Sequence, residues 1–102
     1  MNEKYGRFLP IGTVVMLKGA TKRLMITGFC SYDKGNKQNP RAFDYTGCLF
    51  PEGIITSDKM ALFNHSQIEK IYYLGLRDEE EVKFKKALNE EIAKAFAKRN
   101  QN

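Results

Sequence analysis

Few residues in this chain have the type and spacing that catalysis needs. Its one histidine, His65, lies in Asn64-His65-Ser66-Gln67. A histidine can act as a general base, but a nucleophile and an orienting group must converge on it. Asn64 followed three residues later by Gln67 is instead the pattern of a capped single turn, which makes His65 a surface turn residue. Cys30 and Cys48 are the only thiols. Neither lies in a C-x-x-C motif or at a recognisable helix start, the settings that activate a thiol. Two cysteines make no disulfide framework, and with a single histidine they are too few for a structural zinc site. Both read as small strand residues that stay reduced. The acidic run Asp78-Glu79-Glu80-Glu81 can attract a cation, but it lacks the spacing of a calcium loop and suits the positive start of a helix. The glycines form neither a dinucleotide-binding nor a Walker pattern. No enzymatic activity, cofactor or metal is expected.

Binding chemistry has more support. The 102 residues include 17 Lys and Arg against 12 Asp and Glu, a net charge of +5. The excess lies in the first fifty residues, which hold eight basic residues against three acidic ones. An anionic partner is compatible with this balance, but there is no tight basic run, and solubility is the simpler reason for the charge. Lys34, Lys37 and Arg41 share a polar loop that could grip phosphates. Tyr45, Tyr72 and Tyr73 lie on strand-like segments, where aromatic rings can stack bases but more often pack a core or an edge.

The elements that must position these residues are mostly strands. Leu9-Pro10-Ile11-Gly12 opens the ordered part, and Thr13 to Lys18 is a β-branched and apolar run. Gly19 supplies the positive φ of the turn that follows. Lys22 to Ser31 returns as the second strand, with Leu24 and Ile26 on one face and Met25 and Phe29 on the other. Apolar groups on both faces point to a curled sheet or barrel covered on its outside. Gly28 marks a bulge or bend. Residues 32–41 form a loop, 42–50 the third strand, and Pro51-Glu52-Gly53 a turn. Residues 59–63 and 68–74 give two further strands around the single turn at 64–67. Val15, Leu17, Leu24, Ile26, Leu49, Phe63 and Ile71 are the expected core.

The tail reads as a helix over 78–99. Asp78 caps it and Glu81 completes a box-like pattern. Glu79–Lys83, Glu81–Lys85 and Glu90–Lys94 are favourably ordered i,i+4 pairs. Phe84, Ala87, Leu88, Ile92, Ala95 and Phe96 share one face, interrupted by Glu91. Such a helix is ~33 Å long, against ~17–20 Å for a typical strand. Phe84 and Leu88 are therefore expected to anchor it to the core. Ile92 and Phe96 are the candidate partner-binding residues where the helix overhangs.

The longest aliphatic run, Val14 to Leu17, falls far short of the ~20 residues that span a bilayer, and the start has no hydrophobic signal region. A cytoplasmic protein without a membrane span is expected. The fold class is α+β, mainly β: an SH3-like bent sheet or partly open barrel of about five antiparallel strands plus a C-terminal helix. The whole of 1–102 is expected to form one domain, with 9–76 its β part.

Four segments together carry a family resemblance: LPIGTVVMLKGATKRLMITG at 9–28, FDYTGCLFPEG at 43–53, FNHSQI at 63–68 and GLRDEEEVKF at 75–84. In order and spacing they resemble the domain-of-unknown-function 4176 family. The resemblance implies a small protein of Gram-positive bacteria, encoded beside LXG toxins and WXG100-like helical partners in type VII secretion loci. It further implies a targeting factor or chaperone-like adaptor for an LXG effector, and it carries over no catalytic residue. A homo-oligomer through the C-terminal helix is a further expectation. The alternative function is a small nucleic-acid-binding β-barrel that uses the basic N-terminal half.

Overall fold

Turn-forming residues divide the first three quarters of the chain into strands. The computed structural model describes residues 8–32, 42–56 and 60–100, with side chains described except at 30–32, 42 and 95–100. Among the described residues five strands precede one long helix: β1 (Val14–Leu17), β2 (Arg23–Tyr32), β3 (Ala42–Phe50), β4 (Ala61–Phe63), β5 (Ile68–Tyr73) and α1 (Glu79–Asn100), with a 3-10 turn at His65–Gln67. The strands form one antiparallel sheet in the order β4-β3-β2-β1-β5. The sheet is open, with β4 and β5 as its edges, and does not close into a barrel. The chain forms two compact units, Leu9–Gly75 with the sheet, and Met1–Phe8 together with Leu76–Asn102, which holds α1.

The β1–β2 turn forms as its composition dictates. Gly19 has φ 76°, and the Ala20 N–H closes the turn on the Leu17 carbonyl at 3.1 Å. The turn after β3 contains a cis Phe50–Pro51 peptide, and the Gly53 N–H donates to the Leu49 carbonyl at 2.7 Å.

The β2–β3 register shifts between Ile26 and Gly28, so Thr27 is an extra residue beside the expected Gly28 break. Its hydroxyl donates to the Thr46 carbonyl at 3.3 Å. This bulge corrects the expected alternation. One inserted residue turns the side-chain order over, so Phe29 pairs with Tyr45 and returns to the face of Leu24 and Ile26.

On that face Val15, Ile26, Tyr45 and Phe63 are fully buried, and Leu24 nearly so. Tyr45 is the centre, with ring centroids 5.4 Å from Phe63 and 6.2 Å from Phe29. Gly47 lies opposite Ile26 on β3. A Cβ there would sit 3.0 Å from the Phe63 ring and 2.9 Å from the Met25 carbonyl oxygen, so the missing side chain makes room for Phe63. Cys48 and Val14 are buried on the other face, so both sides of the sheet carry buried apolar groups. Of the expected core, Leu17 and Leu49 are half-buried, and Ile71 is 47% exposed. Ile71 is the correction: it lies on edge strand β5, which has a neighbouring strand on one side only.

α1 begins as its capping pattern demands, with the Glu81 N–H donating to Asp78 Oδ1 at 3.0 Å. Its side chains depart from the expected stripe. Glu81, Lys85, Leu88, Asn89 and Ile92 are the half-buried row, whereas Phe84 is 51% exposed and Ala87 is exposed. The first members of this row are an ion pair: Lys85 bonds to Glu81 and also donates to the Phe8 carbonyl at 2.9 Å. Arg77 approaches Glu81 at 3.7 Å and reaches the same Phe8 carbonyl at 3.3 Å. Phe84 is thus half-exposed, where its spacing suggests a buried residue. Further along α1, Lys94 approaches Glu91 at 3.6 Å, three residues back.

Candidate docking surface

The 3-10 turn delivers β5 to its edge, and β3 holds that turn. The Asn64 N–H donates to Gln67 Oε1 at 2.8 Å, and the Gln67 N–H to the Asn64 carbonyl at 3.0 Å, as the spacing predicts. Asn64 Oδ1 reaches across to accept the Asp44 N–H at 3.1 Å, and Asp44 Oδ2 accepts the His65 N–H at 2.9 Å. Asp44 and Asn64 thus exchange side-chain oxygens for backbone donors across two elements, which satisfies groups that a turn otherwise leaves to water. The Tyr45 hydroxyl accepts the Leu9 N–H at 3.0 Å and lies 2.7 Å from His65 Nδ1. His65 is accordingly half-buried and hydrogen-bonded to a core tyrosine, rather than the surface turn residue its neighbours suggest. No local spacing signals this contact, because it depends on the β3 register.

β5 itself is unusual for a strand of a small domain. Ile71, Tyr72, Tyr73 and Leu74 form an unbroken run in which each residue is 45–64% exposed. Scattered exposed apolar groups are ordinary on a protein surface, but clustered ones mark contact sites; here the register divides the run, with Ile71 opposite Val15 on the core face and Tyr73 opposite Val14 on the other. The edge is not a clean template for strand addition. Its register against β1 shifts twice, between Val14 and Val15 and between Met16 and Leu17, and Lys70 lies in its middle. Bulges and edge lysines are devices that block a further strand. The side chains of β5, rather than its backbone, are what it offers to a partner.

One row of these side chains crosses four strands. Phe50 on β3 pairs with Arg23 on β2, the β1–β2 offset sets Met16 opposite Arg23, and Met16 pairs with Lys70 on β5. The Arg23 guanidinium lies over Phe50 at 5.0 Å and over Tyr72 at 5.7 Å, and the Lys70 ammonium over Tyr72 at 4.7 Å. Cation–ring contacts of this kind hold a flexible basic side chain against the sheet. Tyr72, expected on strand position alone, is brought into the row. Arg23, Phe50 and Lys70 were missed, because only the register joins them.

Beside this row Lys22 binds Glu52 at 2.6 Å, tying the start of β2 to the turn after β3. The hydrogen bond from Lys22 first, and the backbone second, hold the exposed Glu52 carboxyl below the ordinary glutamate value of 4.5. A lowered native pKa favours the folded state above the ordinary value, and that contribution fades as the pH falls through the lowered one. A carboxyl-detected NMR titration should give Glu52 a midpoint below 4.5, rising in Lys22→Met; an unchanged midpoint in the variant would refute the pairing.

Of the two residues singled out on the helix, Ile92 is half-buried on α1, and the Phe96 side chain lies outside the described residues. The loop bearing Lys34, Lys37 and Arg41 also lies outside them, as does the Cys30 side chain. Cys48 is buried and free. Among the described residues, no three His, Cys, Asp or Glu side chains gather as a metal-ligand set, and no helix is long and apolar enough to cross a membrane.

No curated protein and no solved structure matches the chain. A family model described as Domain of unknown function (DUF4176) matches residues 8–84. That span takes in the whole sheet, the Asp44–His65 exchange, the Arg23–Tyr72 row and the start of α1, and it stops short of Ile92. With the match extending over well more than half of its length, the chain belongs to the domain-of-unknown-function 4176 family.

Proposed function

We propose that the protein is a non-enzymatic adaptor, a targeting factor or chaperone-like partner of an LXG effector in type VII secretion, acting in the cytoplasm of a Gram-positive bacterium. The observation that carries this reading is the exposed run Ile71 to Leu74, at the end of a strand whose edge is blocked against further pairing and just beyond it. Apolar side chains held in water on a rigid sheet gain ~1.5–3 kcal/mol each when a partner covers them. The partner in this reading is the one that the family resemblance implies: an LXG effector or its WXG100-like helical companion.

The Arg23–Tyr72 row also favours a second reading, a small nucleic-acid-binding β domain that uses the basic half. Salt separates the two. Co-expressed with the neighbouring LXG gene, an adaptor should retain its effector through a high-salt wash. A nucleic-acid binder should instead purify with bound nucleic acid and lose it steeply as salt rises. Failure to retain the LXG protein at any salt would refute the adaptor.

Ile92 and Phe96 provide a second contact in this reading, for a helical partner or a second copy of α1. The double change Ile92→Ser with Phe96→Ser should weaken retention of the partner more than tenfold with the melting temperature unchanged. Unchanged retention would remove the helix end from the interface, and a collapsed melting temperature would make both residues structural.

A further inference from the structure

We propose that the row Phe50, Arg23, Met16, Lys70 and Tyr72 is the part of the docking surface that takes carboxylates of an acidic segment of the protein partner. This rests on the adaptor reading and names the chemistry of its partner. The argument is one of charge. Arg23 and Lys70 lie over rings, and among the described residues neither is paired with a carboxylate. Lys22, the cation just before β2, is already bound to Glu52. The row therefore presents two positive groups, fixed in place by aromatic neighbours and, among the described residues, without a direct carboxylate partner, although the Arg23 charge is close enough to help lower the Glu52 pKa.

A guanidinium over a ring still has its donors in its own plane, where a carboxylate can accept two of them at once. The rings and Met16 exclude water around that contact, which strengthens it. Stacking also restrains the arginine before the partner arrives, so less side-chain freedom is lost on binding.

The same observations favour a polypeptide over nucleic acid. A single-strand groove follows successive phosphates with several cations, and this row has two. On the same face Tyr73, opposite Val14 on β1, is exposed on β5, an aromatic surface suited to the aliphatic side chains that flank acidic residues in a protein segment.

The test compares two double variants of equal charge, Arg23→Glu/Lys70→Glu on the row and Lys83→Glu/Lys86→Glu on exposed positions of α1. The probes are poly-L-glutamate and a thymidine 20-mer, each titrated into isotope-labelled full-length protein, with melting temperatures measured in parallel. Poly-L-glutamate should shift the resonances of Arg23, Lys70 and Tyr72, and the row variant should bind it at least tenfold more weakly, with the α1 variant little changed. Equal weakening by both variants would reduce the effect to net charge and overturn the proposal. Tighter binding of the 20-mer at the same residues would overturn it in favour of nucleic acid. Should the row variant melt early, Arg23→Gln/Lys70→Gln makes the same comparison, with Lys83→Gln/Lys86→Gln as its control. Pull-down of the LXG protein then separates the two claims. If wild type retains the effector and the row variant retains it equally, the carboxylate site falls and the adaptor stands. If wild type never retains it while poly-L-glutamate still maps to the row, the adaptor reading falls and the carboxylate site stands.

Discussion

Tyr45→Ala is expected to lower the unfolding free energy by ~3–5 kcal/mol, the range for removing a fully buried aromatic ring. At ~4–8 °C per kcal/mol for a chain of this size, the melting temperature should fall by well over ten degrees. Tyr45 is fully buried and packs against Phe63, Phe29 and His65. Its hydroxyl adds a separable part. Tyr45→Phe keeps the ring and removes the acceptor of the buried Leu9 N–H and the partner of His65 Nδ1. A buried donor left without its acceptor costs ~1–3 kcal/mol. Urea unfolding of both variants measures the two parts. A Tyr45→Phe loss below about half a kcal/mol would mean that the hydroxyl satisfies no buried group.

Gly75→Ala is expected to be nearly as damaging, at ~3 kcal/mol or more, although it adds a single methyl group. A Cβ at Gly75 would collide with the Ile11 carbonyl oxygen and lie 3.1 Å from the Thr13 nitrogen. These are backbone atoms with no rotamer to escape through. The Ile11–Thr13 segment is itself fixed, since the Gly12 N–H donates to the Ile26 carbonyl and the Ile26 N–H to the Thr13 carbonyl, both at 2.9 Å. Moving Gly75 instead would break its N–H bond to the buried Thr13 hydroxyl, 3.0 Å long. Differential scanning calorimetry of Gly75→Ala beside Gly19→Ala makes the comparison. Gly19 meets nothing within 4 Å, and its cost there is only that of a positive φ. A Gly75→Ala loss no larger than that of Gly19→Ala would show that the backbone can part at this point.

Much of the sheet was legible because its signals are local. Gly19 announced a turn, Gly28 a bulge, Asn64 and Gln67 a closed turn and Asp78 a helix cap, and each feature appears where its chemistry requires. Features set by pairing between distant segments were not legible. Strict alternation put Phe29 opposite Ile26; the residue inserted at Thr27 brings it back, and a propensity reading counts no insertions. Helical spacing alone made Phe84 an anchor. The reach of Lys85 to the Phe8 carbonyl, 77 positions away, half-buries a charged residue on that helix while Phe84 is half-exposed. The Arg23–Tyr72 row follows the same rule, because its members are ordinary surface residues until the registers of three strand pairs set them side by side.

The strand order also dictates when the sheet can be completed. β1 forms a hairpin with β2 early, but its other neighbour is the last strand, and the bond between Thr13 and Gly75 closes a span of 62 positions. Contacts this far apart pay their loop-closure entropy before they return any stability, so they form late and slow the whole reaction. On the ribosome, Val14 to Leu17 must wait with one edge unpaired until β5 has emerged from the exit tunnel. Throughout that interval the nascent chain exposes its most apolar strand to any other edge nearby, the condition under which partly made β proteins misassemble. A burst of synthesis, with many unfinished chains close together, is the circumstance in which this domain most needs β5 to arrive promptly.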